Sequence, residues 1–149
     1  MYNSREDTLN HIKEVDKYIS LLIRGLGYRK SCHDFSKLEE PEKSIFDEYT
    51  PKLKECTYGS KEYQNHLKNM NVALNHHYSN NRHHPEHFQN GIKSMNLVDI
   101  CEMMADWKAA TLRHANGDIL KSIDINQTRF GYSDELKQIL INTVKFYFE

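Results

Sequence analysis

Hydrophobic side chains recur at three- and four-residue steps along most of the chain, which is the period of an amphipathic α-helix. The first such stretch carries Leu9, Ile12, Val15, Ile19, Leu22, Ile23 and Leu26. Ser4 followed by Asp7 resembles a capping box at its start, and Gly25 and Gly27 predict its end. The pattern therefore predicts an amphipathic helix that ends a few residues before His33.

His11 lies in the first helix at a position that bears on function. At about 100° per residue it falls in the same sector as Val15 and Leu22, so it is predicted to point inward. Two interpretations stay open. His11 is either a core histidine bonded to a backbone carbonyl or a ligand in a site shared with His33 and Asp34, which follow shortly after the helix.

Two short helical stretches are predicted after the first helix. His33 and Asp34 start or lie within one of them. Pro41 suits the first position of the other, because proline lacks the N–H that would be unpaired there. Thr50-Pro51 predicts a break in that second stretch.

The next helix is predicted to begin at Ser60, an N-cap residue that follows a turn at Tyr58-Gly59. One stripe of this helix carries Tyr63, Leu67, Met70, Leu74 and His77. His77 is thus predicted to point inward, whereas His76 is turned about 100° away. If this helix donates a metal ligand, the ligand is His77.

Residues 80–87 contain turn formers and no apolar period, which predicts a loop. Three of these residues are histidines, His83, His84 and His87. The segment is either a solvated polar loop or, together with an inward-facing His77, part of a metal site.

A late helix is predicted from Leu97 to His114, capped by Asn96 and stopped at Asn116-Gly117. Its apolar side holds Leu97, Ile100, Met104, Trp107, Thr111 and Leu112. Its other side holds Asp99, Glu102, Asp106 and Arg113, together with Ala109 and Ala110. This second side is either an ordinary solvated face or a surface where the small alanines allow a ligand or another helix to approach.

The last part of the chain predicts two more helical elements. A short element covers Ile123 to Phe130, and Gly131 ends it. Ser133 then caps a helix that carries Leu136, Ile139, Leu140, Val144 and Tyr147. Since no stretch alternates with period two, the sequence predicts a single all-α domain over residues 1–149, a bundle of five to seven helices.

Composition narrows the class of protein. The 149 residues suffice for one domain with a core, and a net charge of −1 gives no bulk reason to expect binding to nucleic acid or to an anionic membrane. No apolar run has the length of a membrane span, and the polar N-terminus does not resemble a signal peptide. Three cysteines without C-x-x-C spacing favour a reducing, cytoplasmic location and no cysteine-based zinc site.

The unusual feature of the composition is its histidine content. Nine histidines are present, and five of them lie between His76 and His87. His33 and Asp34 stand side by side, with Lys37 shortly after. Imidazole nitrogen and carboxylate oxygen together suit divalent zinc, iron or manganese. Because neighbours on a helix point about 100° apart, other elements must complete the ligand shell.

The order of these residues resembles that of the HD-domain superfamily. His11, then His33-Asp34, then Asp106 follows the H…HD…D order, and residues 33–37 resemble its HD-x-G-K form with serine in place of glycine. Residues 105–110 resemble the alanine-aspartate-aromatic stretch around the last aspartate of the superfamily. The whole chain is also similar to a family of small phage and bacterial proteins of unassigned function, which would place a phage-encoded copy in the host cytoplasm.

The resemblance implies a helical, metal-dependent phosphohydrolase. By resemblance, His11, His33, Asp34 and Asp106 hold a divalent Mn, Zn, Fe or Co ion. A second ion, if present, takes His77 and one of His83, His84 and His87, with His84 the choice. The implied substrate is a nucleotide or a related phosphoester.

The chemistry of that site assigns further roles. Asp34 can ligate the metal and orient the attacking water. Phosphoryl oxygens need cations, for which the candidates are Lys37, Arg113 and Arg82, each otherwise a surface charge. The rival interpretations are a non-catalytic metal- or nucleotide-binding module and a di-iron HD-type oxygenase. Oligomeric state stays open.

Overall fold

The computed structural model describes residues 2–57, 60–113 and 117–148. The chain divides into two compact units, residues 1–33 and residues 34–149. Seven α-helices and three 3-10 helices follow one another, and no strand occurs in these described ranges, which confirms the all-α prediction. The prediction of one domain over residues 1–149 stays a prediction.

The first unit is the single helix α1, Arg5–Cys32. It runs through Gly25 and Gly27, so the predicted end at these glycines is wrong; one glycine inside a helix costs only about 1 kcal/mol. Ser4 occupies the N-cap but its side chain makes no capping bond. The N–H of Arg5 donates instead to Asn3 Oδ1 at 3.1 Å.

No residue of α1 is buried, because a lone helix has no second surface within its unit. Its apolar residues, among them Leu9, Ile12 and Ile19, are exposed. His11 is exposed as well. The expectation that His11 points into a core is therefore not met within the first unit.

The second unit begins with a 3-10 helix, Phe35–Leu38, and continues with six α-helices. These are α2 Glu42–Glu55, α3 Lys61–Asn69, α4 Asn71–Asn80, α5 Leu97–Thr111, α6 Ile119–Phe130 and α7 Asp134–Tyr147. Two further 3-10 helices, Pro85–His87 and Gly91–Ser94, lie between α4 and α5.

Two predicted boundaries in the first half of this unit are wrong. α2 continues through Pro51, although an interior proline removes a helical hydrogen bond and crowds the carbonyl four residues earlier. The predicted helix that contains His77 is divided into α3 and α4 at Met70, which is fully buried. Ser60 caps α3 as predicted, accepting the N–H of Tyr63 at 3.1 Å. The turn predicted at Tyr58-Gly59 lies outside the described residues.

The hydrophobic core of the second unit lies among α5, α6 and α7. Its buried members are Ile92, Met103, Met104, Ile119, Ile123, Tyr132, Leu140 and Val144. Gly131 ends α6 in the left-handed conformation, φ 64°, and Ser133 caps α7 by accepting the N–H of Leu136, both as predicted. The core thus fixes α5, one side of which bears the predicted acidic residues.

The predicted faces of α5 need correction. Leu97 and Leu112, placed on its apolar side, are 69% and 77% exposed, whereas Asp99 is fully buried. The helix ends at Thr111, earlier than predicted; His114 and Asn116 lie outside the described residues. No helix in the described part of the chain combines the length and apolar character needed to span a membrane.

Candidate metal centre

Asp34 is the first residue of the second unit and has a left-handed backbone, φ 59°. Aspartate tolerates this conformation better than most residues. It precedes the 3-10 helix Phe35–Leu38, and its carbonyl accepts the N–H of Lys37 at 2.9 Å. The ammonium of Lys37 also lies 2.6 Å from Asp34 Oδ2. One carboxylate oxygen is therefore held by a cation, which leaves Oδ1 to meet the histidines.

His77 is buried in α4, and its Nε2 lies 3.3 Å from Asp34 Oδ1. Its neighbour His76 keeps 40% of its side chain exposed. The prediction that His77 points inward and His76 does not is confirmed. A buried glutamate, Glu42, contacts both rings: Oε2 lies 2.9 Å from His77 Nδ1 and Oε1 lies 2.7 Å from His76 Nδ1.

The polar loop after α4 is not solvated. Asn81, His83 and Pro85 are buried. The amide of Asn81 donates to the His77 carbonyl at 2.8 Å, which continues the helix cap into the loop. The interpretation of residues 80–87 as a solvated loop is wrong for its central part, because Asn81, His83 and Pro85 are buried, whereas Asn80 and Glu86 are exposed.

The loop brings two more imidazoles to Asp34. Ligand atoms of Asp34, His77, His83 and His84 all lie within 4.8 Å of one another. His83 Nε2 is 3.4 Å from Asp34 Oδ1, and the Nε2 atoms of His77 and His84 are 2.8 Å apart. Ligand atoms about 2.0–2.2 Å from a tetrahedral zinc lie about 3.3–3.6 Å from each other. Three nitrogens and one oxygen therefore fit a transition metal after small side-chain shifts.

Burial favours the neutral form of His77 and His84, which is the form that a metal ligand needs. Burial, followed by the charges of the neighbouring His83 and His77, lowers the pKa of His84 to about 3. Burial, followed by the charge of Lys37, also lowers the pKa of His77. Neutral imidazoles offer a lone pair to a cation at neutral pH.

Three further carboxylates lie next to the imidazole rings of His77 and His83. Glu42 Oε2 lies 2.9 Å from His77 Nδ1, and a proton on Nδ1 donated to this carboxylate leaves the Nε2 lone pair for an ion. Glu102 Oε1 lies 3.3 Å from His83 Nδ1, and a carboxylate oxygen of Asp106 lies within 4.8 Å of a ring nitrogen of His83. For Glu102 the interpretation as part of a wet face is wrong, since only 9% of its side chain is exposed.

Arg82 and Asp99 form an ion pair with a structural role. The guanidinium of Arg82 donates two bonds to the buried Asp99 carboxylate, at 3.1 and 2.9 Å, and lies over the Phe88 ring. Asp99 also completes a capping box with Asn96 at the start of α5. The interpretation of Asp99 as part of a wet face is therefore wrong, and the pair ties the histidine loop to α5.

Three predicted site residues, His11, His33 and Arg113, are not part of the group that the second unit forms around Asp34. His11 and His33 belong to the first unit, so their part in this cluster stays a prediction. Arg113 is exposed just beyond α5, and its role in substrate binding also stays a prediction. Of the predicted ligands, the second unit brings together Asp34, His77 and His84, with Asp106 beside the cluster.

Sequence reasoning missed Glu42 and did not choose His83 as a ligand. Glu42 follows Pro41 at the start of α2, where a glutamate is common because the helix dipole favours negative charge. His83 was one of three candidate histidines in the loop. Nothing in the local pattern of either residue marks it as buried.

The fold and the cluster define an all-α protein with a candidate histidine–carboxylate metal centre. The chain belongs to the family described as a family of unknown function, DUF5662, whose model matches residues 1–146. No curated protein and no solved structure matches the chain.

Proposed function

We propose that this protein is a metal-dependent phosphohydrolase that acts on a nucleotide or a related phosphoester. The observation that supports it best is the convergence of Asp34, His77, His83 and His84, with Lys37 bound to the same aspartate. The order of His11, His33-Asp34 and Asp106, which resembles that of HD-domain hydrolases, supports the same proposal.

The donor set fits a divalent Zn, Mn, Fe or Co ion, held by Asp34 and the histidines. Such an ion supplies a water of lowered pKa and polarises a phosphoryl oxygen. Glu42 and Glu102 fix the ring orientations of His77 and His83 through their Nδ1 atoms. In this proposal Asp34 also orients the attacking water.

Lys37 provides the positive charge that a phosphoryl group requires. Its side chain is 27% exposed, and its ammonium lies 5.3 Å from the centre of the Phe46 ring as well as on Asp34. An ammonium held next to a metal ligand stabilises negative charge that develops on phosphoryl oxygens in the transition state. The Asp34 carboxylate thus links the Lys37 ammonium to the proposed metal ion.

The test combines metal analysis with an activity panel. Freshly purified protein is expected to carry about one or two equivalents of a transition metal and to release phosphate from at least one nucleotide in a panel. Protein that binds none of zinc, manganese, iron and cobalt contradicts the metal centre.

Other outcomes separate the rival classes. Tight nucleotide binding by the metal-loaded protein without turnover identifies a binding module. Iron together with oxygen-dependent turnover identifies an oxygenase. Either result overturns the hydrolase while leaving the metal centre in place.

A further inference from the structure

A second group of ligand-type side chains lies apart from the histidine loop. Sγ of Cys56, a carboxylate oxygen of Glu62 and a ring nitrogen of His66 lie within 4.8 Å of one another. None of the three belongs to the centre at Asp34. Thiolate, carboxylate and imidazole are the donor types found in zinc sites.

Helical spacing brings two of these residues together. Glu62 and His66 are four residues apart on α3, so they lie one turn apart on the same face. The Ser60 cap fixes the first turn of α3, which contains Glu62. His66 packs edge-on against Tyr49, with ring centroids 5.8 Å apart, and this contact limits the rotation of the imidazole.

Cys56 reaches the pair from the end of α2. It is the C-cap residue of that helix, and its N–H donates to the Leu53 carbonyl at 3.3 Å. Cys56 and His66 are half-buried, while Glu62 is exposed. Two ligands are thus anchored by helix ends and packing, and the open side leaves room for a water as a fourth ligand.

We propose that Cys56, Glu62 and His66 form a separate site for a thiophilic divalent cation such as Zn²⁺, bridging the end of α2 and the first turns of α3. Zn–S and Zn–N bonds of about 2.3 and 2.0–2.1 Å place the ligand atoms about 3.3–3.6 Å apart. That spacing is compatible with atoms already within 4.8 Å of one another. On binding, the thiol gives its proton to solvent and the sulfur bonds the ion.

Cobalt titration tests this site without interference from the first. Co²⁺ bound to a thiolate gives an intense near-ultraviolet charge-transfer band, and the centre at Asp34 contains no cysteine among its grouped ligands. The wild-type protein is expected to develop this band, and Zn²⁺ is expected to displace it. Cys56→Ser is expected to abolish the band. His66→Ala is expected to lower the apparent affinity for Co²⁺ at least tenfold.

Matched variants serve as controls. Cys32→Ser and Cys101→Ser remove the other two cysteines and are expected to keep the band. Glu55→Gln removes an exposed carboxylate next to Cys56 in sequence and is expected to be silent, whereas Glu62→Gln weakens binding. Circular dichroism verifies that each variant folds.

A second measurement uses unmodified protein. Zn²⁺ is expected to protect Cys56 from alkylation, as mapped by peptide mass spectrometry, and a chelator is expected to restore its reactivity. A charge-transfer band that survives Cys56→Ser, or alkylation of Cys56 that is unaffected by Zn²⁺, overturns the proposal. Neither readout depends on the metal at Asp34, so this proposal and the proposed hydrolase can fail separately.

Discussion

Asp34→Asn is expected to strip the protein of most of its bound metal while leaving it folded. Asp34 Oδ1 lies 3.3 and 3.4 Å from the Nε2 atoms of His77 and His83, so its charge is central to the cluster. Asparagine tolerates the left-handed backbone of this position, φ 59°, whereas alanine adds roughly 1–2 kcal/mol of strain. Asparagine therefore separates the loss of a ligand from the loss of backbone stability.

The measurement is metal content after dialysis, followed by the affinity for added Zn²⁺ or Mn²⁺. Loss of an outer-shell partner costs roughly 10- to 100-fold in metal affinity, and loss of a direct ligand is expected to cost at least as much. His77→Ala is expected to behave like Asp34→Asn. His76→Ala is the matched control, since this ring lies on the other side of Glu42 and is expected to have little effect. Unchanged metal affinity in both ligand variants would rule out the assignment.

Lys37→Met is expected to lower turnover of an active phosphoester substrate by about a hundredfold or more, even at saturating metal. Removal of one preorganised donor to a developing oxyanion typically costs about 2.7–4 kcal/mol. Lys37 lies on the carboxylate of Asp34, so some loss of metal affinity is expected as well. Saturating metal removes that second effect from the comparison, and the remaining loss is expected in kcat.

Two variants sharpen this experiment. Lys37→Arg keeps the charge and is expected to recover part of the turnover. Arg113→Ala removes an exposed cation from the end of α5 and is expected to raise KM with a smaller effect on kcat. If turnover of Lys37→Met returns fully to the wild-type rate once metal saturates, Lys37 supports the metal ligand and has no role at phosphate.

The helical class was predictable from the sequence, and so was the phase of the helix through His77, because both depend on local periodicity. The phase predicted for α5 was wrong at Leu97, Leu112 and Asp99. The stripe through His77 assigned an inward direction to that ring, and its burial confirms it. Gly25, Gly27 and Pro51 gave wrong boundaries, since local propensity predicts the cost of a residue in a helix and not whether the rest of the helix outweighs it.

The outer parts of the candidate site were less predictable. Glu42 and Asp99 are buried acids whose partners, His77 and Arg82, lie 35 and 17 residues away along the chain. No local pattern records such pairings. The histidine-rich loop is polar by composition, yet Asn81 and His83 are buried. The Asn81 amide donates to the His77 carbonyl, and Glu102 on α5 lies 3.3 Å from His83 Nδ1.

The second unit is stabilised by different forces in its two parts. The hydrophobic core belongs to residues 92–144. In the described part of α2 to α4, burial of apolar side chains is concentrated at Met70 and Ala73, while Glu42 and His77 are buried polar residues. Amide groups of α4 are therefore expected to open locally without unfolding the rest of the unit.

An ion at Asp34 would raise the free energy of that local opening, because it binds the closed arrangement of His77, His83 and His84. Hydrogen–deuterium exchange is expected to accelerate in α4 and the following loop when a chelator is added. Amides of α6 and α7 are expected to keep their protection. On the proposed function, α4 and the following loop would owe more of their local stability to a bound ion than to the hydrophobic core.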